Sequence, residues 1–455
     1  MDLLAEQSRV GLIPALILFH PSAEVVLRAL ELFSSARRED YDAIVPRLRS
    51  HPDPRIRAAA LRAAAAADEP GKLLDAMGDP SPIVRATALV GLAARAGAGD
   101  GELERQFRDV VEGSSAEAQL ALAQAIRARP APVFEGALPG LARSPHLEVR
   151  RETVRAMSAL TSETFLAPLV ALLAEQTLRA DVRRALVAHG QPALRSLART
   201  LADESQPQSV RRHVPKAIAA FRSEAAASEL TEALARRQDG LLRFSVLSAL
   251  GSLRRDRPGL ALDPVPLGRA LEGALADSEA LMRARRALGG ARRAEVGGET
   301  PAREALAALL RHKQQHAVER CFRLLNLLHP SEDILRAYRA LESEAGDVRS
   351  RGRELAEHVI APEARPRLLP VIDDLYETGS APEPDEPEKL PDDGEVLRDL
   401  LEGSSDSLAA LAAYHAGELG LTRLRPQLTR LRDAAPPPVA EVAAQALDAL
   451  PAGTG

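Results

Sequence analysis

Tryptophan is absent from this chain of 455 residues, aromatic residues make up 3% of it, and Cys321 is the sole cysteine. A single cysteine excludes an internal disulfide and fits a reducing compartment. The scarcity of aromatics leaves few of the platforms on which single-stranded nucleic acids stack. Lysine occurs only at positions 72, 216, 313 and 389, so the positive charge is almost all arginine. The formal net charge of -5 gives no global pull toward nucleic acid or anionic lipid. Long apolar runs are also missing. The longest early one, Val10–Phe19, contains Pro14 and is too short to span a bilayer. Asp2 and Glu6 stand where a secretory leader would carry positive charge. The reading is a cytosolic, soluble chain.

Catalytic signatures are equally scarce. No GxxxxGK[ST] or GxGxxG follows a strand, and no GxSxG elbow holds a serine. His312 and His316 share a helix face, but Lys313-Gln314-Gln315 stand between them and Cys321 is rotated off that face. A buried cysteine and two surface histidines explain the set better than a metal does. The acid pairs Glu332-Asp333, Asp373-Asp374 and Asp392-Asp393 read as helix starts or solvated faces. Asp373-Asp374, late in its helix, is the odd one. The expectation is therefore no catalytic, cofactor or metal residues.

What the chain does have is a recurring pattern, clearest in Gly78–Gly97. Asp79-Pro80-Ser81-Pro82 cannot be helical, because each proline pushes the residue before it out of the α region. A helix follows, with Val84, Ala88, Leu89 and Leu92 on one apolar face and Arg85 in its first turn. The same register holds Val26, Arg57, Arg85, a weaker match near Ala118, then Arg150, Arg183, Arg211, Arg243, Arg283 and Arg349. Steps run from 28 to 33 residues up to Arg243, stretch to 40 before Arg283, and total 66 from there to Arg349, with 317–328 as the intermediate unit. First helices lie between the marked ones, at 136–144, 165–175, 192–203 and 227–237. Two helical segments per period of about 31 residues predict an all-α fold, an α-solenoid of stacked antiparallel helix pairs.

The predicted organisation is a main solenoid over 1–376, an acidic Pro-rich linker over 377–394, and two further helix pairs over 395–455. Met1–Phe19 reads as a first helix without a polar cap, and Gly289–Thr300, with four glycines, as a surface loop.

The segments DPSPIVRATALVGLA and DPRIRAAALRAAA resemble HEAT repeats, armadillo-like helical units. In that family an Asp in the inter-helix turn and an Arg in the second helix bond between units as a ladder. The resemblance places the Arg at 57, 85, 150, 183, 211, 243, 283 and 349, with the Asp only at Asp79 and Asp277. A narrower resemblance, carried by 12–33, 317–343 and 365–375, is to the soluble region of bacterial proteins that join a membrane domain similar to ATP/ADP translocases to HEAT repeats. It implies the cytosolic arm of a membrane nucleotide-transporter-like assembly.

Arginine doublets at 150–151, 183–184 and 211–212 recur at one register and should line one surface. Nucleic acid is the less favoured ligand for it; an acidic protein partner or the chain's own acidic linker is preferred. The expected function is a non-catalytic scaffold for protein–protein interaction. The alternatives are a nucleic-acid-binding HEAT protein, or a HEAT-like enzyme of the DNA-glycosylase or phycobilin-lyase type.

Overall fold

The computed structural model describes residues 12–36, 39–66, 70–96, 101–113, 115–235, 240–290, 300–376, 391–403 and 405–451. Among these residues the structure is all-α with no strand. It divides into two compact units, one ending at Phe221 and the other starting at Arg222. In each unit helices pack on their sequence neighbours, the architecture of a helical solenoid.

In the first unit, the second helices of successive pairs form one continuous row. Ala23–Ala36, Pro54–Ala66, Pro82–Ala96, Ala116–Ala128, Leu147–Ala159 and Arg179–Ala188 each pack on the next. These are the helices that carry the marked register from Val26 to Arg183. Alanine makes the close approach possible: Ala58, Ala60, Ala88, Ala123 and Ala156 are fully buried at the seams. Leucines and phenylalanines fill the wider spaces, with Phe33, Phe134 and Phe165 almost wholly enclosed.

Local chemistry sets the helix starts. Asp79 Oδ1 accepts the Ser81 amide at 2.8 Å, which fixes the turn before Pro82, and Ser115 Oγ accepts the Ala118 amide at 3.2 Å. The corner between Arg179–Ala188 and Gly190–Ala202 turns on Gly190, whose φ of +62° lies in the left-handed region that glycine enters without strain. The helix Pro82–Ala96 ends one residue before Gly97, which lies outside the described residues, as do 1–11 of the expected first helix. The described part of that segment is a short 3-10 turn, Ala15–Phe19, entered from Pro14.

The second unit departs from the expected period. Pro264–Gly290 and Pro301–Leu328 are two long helices lying side by side over their length. Asp277 sits in the middle of the first, so the inter-helix turn expected before Arg283 does not form. The intermediate segment 317–328 likewise continues a helix that starts at Pro301. The reason is visible in the residues: from Ala274 to Leu288 there is neither proline nor glycine, and the buried stripe Leu267, Leu271, Ala274, Leu275, Met282 runs unbroken. That helix is described as far as Gly290, Thr300 caps the next by accepting the Arg303 amide at 3.3 Å, and 291–299 lie outside the described residues.

Residues 377–390 of the expected linker also lie outside the described residues. Its far end does not: Asp392 caps Asp393–Glu402 in a reciprocal box with Glu395. That helix and Asp406–Glu418, Arg425–Ala434 and Pro437–Ala449 share one core with the two long helices. Val396, Leu397, Leu408 and Leu428 meet Ala287, Leu288, Leu306 and Leu310 there.

Candidate interaction surface

The marked arginines act first on their own turns. Arg57 Nη1 donates to the carbonyls of His51 and Pro52 at 2.9 and 3.0 Å, six and five residues back. Arg85 Nη1 does the same to Asp79 and Pro80, and Arg150 Nη1 to Ser144. An early-helix arginine thus satisfies carbonyls of the turn before the helix, which would otherwise lack partners.

The remaining nitrogens reach the next pair. Arg57 grips Asp79 with Nε to Oδ2 at 3.0 Å and Nη2 to Oδ1 at 2.8 Å. Both side chains are only 16% exposed, so the pair is well shielded. Arg150 Nη2 reaches Glu175 Oε2 at 2.8 Å. Between these rungs, Gln119 replaces the arginine. Its amide nitrogen donates to Val111 and Gly113 carbonyls, and its oxygen accepts the Ser144 hydroxyl at 2.7 Å, 25 residues onward. This is a neutral rung near the weak match at Ala118. Glu175 and Gln119 carry no ladder signal in the sequence, since neither is an Asp six residues before an arginine of the register.

At the next step the register shifts. Arg179, not Arg183, donates to its own turn, at the carbonyls of Leu173 (2.9 Å) and Ala174 (3.0 Å). The pattern of carbonyls six and five residues back would have identified it. Arg183 is half-buried one turn further along the same helix, where burial first and the Arg179 charge second lower its pKa. Arg211 donates to the Leu201 carbonyl at 3.3 Å.

In the second unit Asp277 acts from mid-helix. Its Oδ2 accepts Arg243 Nη1 at 3.2 Å and Arg320 Nη2 at 3.3 Å, tying three helices together. Arg283 is exposed and takes no ladder position; its neighbours Arg285 and Arg286 do the binding, both to Asp374. Arg285 Nη2 bonds Asp374 Oδ2, Arg286 Nε bonds Oδ1 at 2.9 Å, and Arg353 holds Asp373 through two bonds at 2.8 and 3.1 Å. The late-helix acid pair therefore clamps Arg365–Tyr376 to its neighbours. Arg349 reaches the Ser343 and Glu344 carbonyls, at 3.4 and 3.5 Å.

His312 and His316 face each other with Nε2 atoms 3.2 Å apart, while Cys321 is fully buried away from them. Among the described residues no group of three His, Cys, Asp or Glu side chains is placed to hold a metal ion. No helix among them is long and apolar enough to cross a membrane. No protein family and no curated protein matches the sequence.

Proposed function

We propose that this chain is a HEAT-like scaffold whose solenoid surface binds a protein partner. One observation carries the reading: successive helix pairs are joined turn to turn by arginine-to-carboxylate rungs, Arg57–Asp79 and Arg150–Glu175, the linkage characteristic of the HEAT resemblance. Arrays tied in this way present an extended, regular surface, and binding a large partner asks only complementarity of that surface. The narrower resemblance points to a partner of the membrane nucleotide-transporter kind, with this chain as its cytosolic arm.

The test uses the full chain as bait against cytosol and detergent-solubilised membranes of the source organism. A captured protein is then purified and the complex rebuilt from the two components in a calorimeter. A saturable complex supports the scaffold, and a transporter-like partner supports the narrower form. Steady substrate turnover by the purified chain, abolished by a point substitution, overturns it in favour of an enzyme.

A further inference from the structure

In the first unit the arginine rung at Arg179, like the one at Arg85, has no acid among the described residues, and the cations gathered around Arg179 have no carboxylate paired with them there. Arg179 satisfies the carbonyls of its own turn, as Arg57 and Arg150 do, yet no side chain from the following turn answers it. Asp203 in that turn directs its carboxylate to Ser205 and Gln206 instead. Arg183 lies one helical turn from Arg179, and among the described residues it forms no ion pair. The next two short helices, Gln208–Arg211 and Val214–Ala219, bring Arg212, His213 and Lys216 to the same place. Arg212 Nε sits 3.1 Å from His213 Nε2, and Arg179, Arg212, Arg183 and Lys216 all oppose a proton on that imidazole. Arg212 and Lys216 are exposed and the others half-buried, so the group opens to solvent.

We infer that Arg179, Arg183, Arg212 and Lys216 form a docking site for an acidic, carboxylate-rich segment of a protein partner. The occupant follows from the ladder itself. At Arg57 and Arg150 an equivalent guanidinium takes a side-chain carboxylate from the chain, so the open position is shaped for a carboxylate supplied from outside. Four like charges held together repel one another, and an entering anion relieves that repulsion. No Phe, Tyr or Trp side chain belongs to the group, which disfavours nucleic-acid bases. The inference deepens the scaffold reading and rests on it.

The test is fluorescence anisotropy of the full chain with a short fluorescein-labelled peptide rich in Glu and Asp, at low and at high salt. A single-stranded oligonucleotide of matching charge serves as comparison. The wild-type chain is expected to bind the peptide, with affinity falling as salt rises. Arg183→Gln and Lys216→Glu are each expected to weaken binding about tenfold, the loss of one charge-assisted contact. Lys216 is exposed, so its substitution leaves folding intact, and Arg195→Gln on the neighbouring helix should bind as wild type does. Equal binding by wild type, R183Q and K216E overturns the site, and so does tighter binding of the oligonucleotide than of the peptide. If the site fails in this way while partner capture by the full chain succeeds, the scaffold reading stands without it. If capture fails, the scaffold reading falls whatever the peptide does.

Discussion

Arg57 and Asp79 are 22 residues apart and joined by two parallel hydrogen bonds, while each also stabilises the turn of its own pair. One contact therefore fixes both the spacing and the rotation of neighbouring helix pairs. The Arg57 guanidinium holds the Asp79 carboxyl below its ordinary range. Asp79→Ala is expected to cost about 2 kcal/mol, as hydrogen bonds to charged groups do. Because the folded pKa is depressed, this contribution is present above the unfolded carboxylate value and is lost as pH falls through the folded one. Urea unfolding followed by circular dichroism should show the gap between wild type and D79A at neutral pH. The gap should close in strong acid.

Gly352 lies where Gly346–Val359 crosses Glu332–Leu341. A Cβ there would meet the Ala340 Cβ at 2.8 Å and the Leu341 backbone nitrogen at 2.9 Å. Backbone cannot give way as a side-chain tip can. Gly352→Ala gains up to about 1 kcal/mol of helix propensity, against an overpacking cost of about 1–3 kcal/mol. A lower melting temperature is expected, with Gly346→Ala, where the same atom meets no neighbour, as the control.

The first unit was legible because its punctuation is local. Asp79-Pro80-Ser81-Pro82 forbids helix, Ser81 takes the turn, and Pro82 starts the helix with its apolar face already spaced. The second unit was less legible because a period was carried across residues that no longer punctuate it. Asp277 has the right residue type six before Arg283, but from Ala274 to Leu288 no proline or glycine breaks the helix. Among the site residues, Arg57 and Asp79 could be paired from sequence. Glu175 and Asp374 could not, since their partners come from other helices at spacings set by packing. Arg286, for example, reaches Asp374 across 88 residues.

The C-terminal helices share the core of the two long helices, so cutting the chain after 376 would leave Leu306 and Leu310, now fully buried, facing solvent. An apolar face of that kind promotes association. Residues 1–376 alone are expected to elute as aggregate or oligomer on size exclusion, while the full chain keeps a single peak. A monodisperse, fully helical 1–376 fragment would refute the dependence.

Cys321 is fully buried, and desolvation pushes its thiol up to about 12. The thiolate is the reactive form, so the native chain should be inert to Ellman's reagent at pH 8. One equivalent should react once denaturant is added. The rate in the native state would report opening of Pro301–Leu328 and its neighbours.

His213 gives the cationic group a pH signature of its own. Burial, then the charges of Arg179, Arg212, Arg183 and Lys216, lower its pKa below that of an unfolded histidine. Between the two values the unfolded chain binds more protons than the folded one, so stability rises with pH across that window and falls on acidification from neutral. Chemical unfolding of wild type and His213→Gln at pH 7.5 and at successively lower pH should show a smaller acid loss in the variant. A carboxylate-rich peptide bound at the neighbouring arginines would offset their charge and raise the His213 pKa toward its ordinary value. Following the imidazole Cε1 proton by NMR titration, with and without peptide, should then show an upward shift in wild type. The shift should be reduced in Arg183→Gln, where the peptide loses one of its holds. A His213 that titrates identically with and without bound peptide would place the peptide elsewhere on the chain.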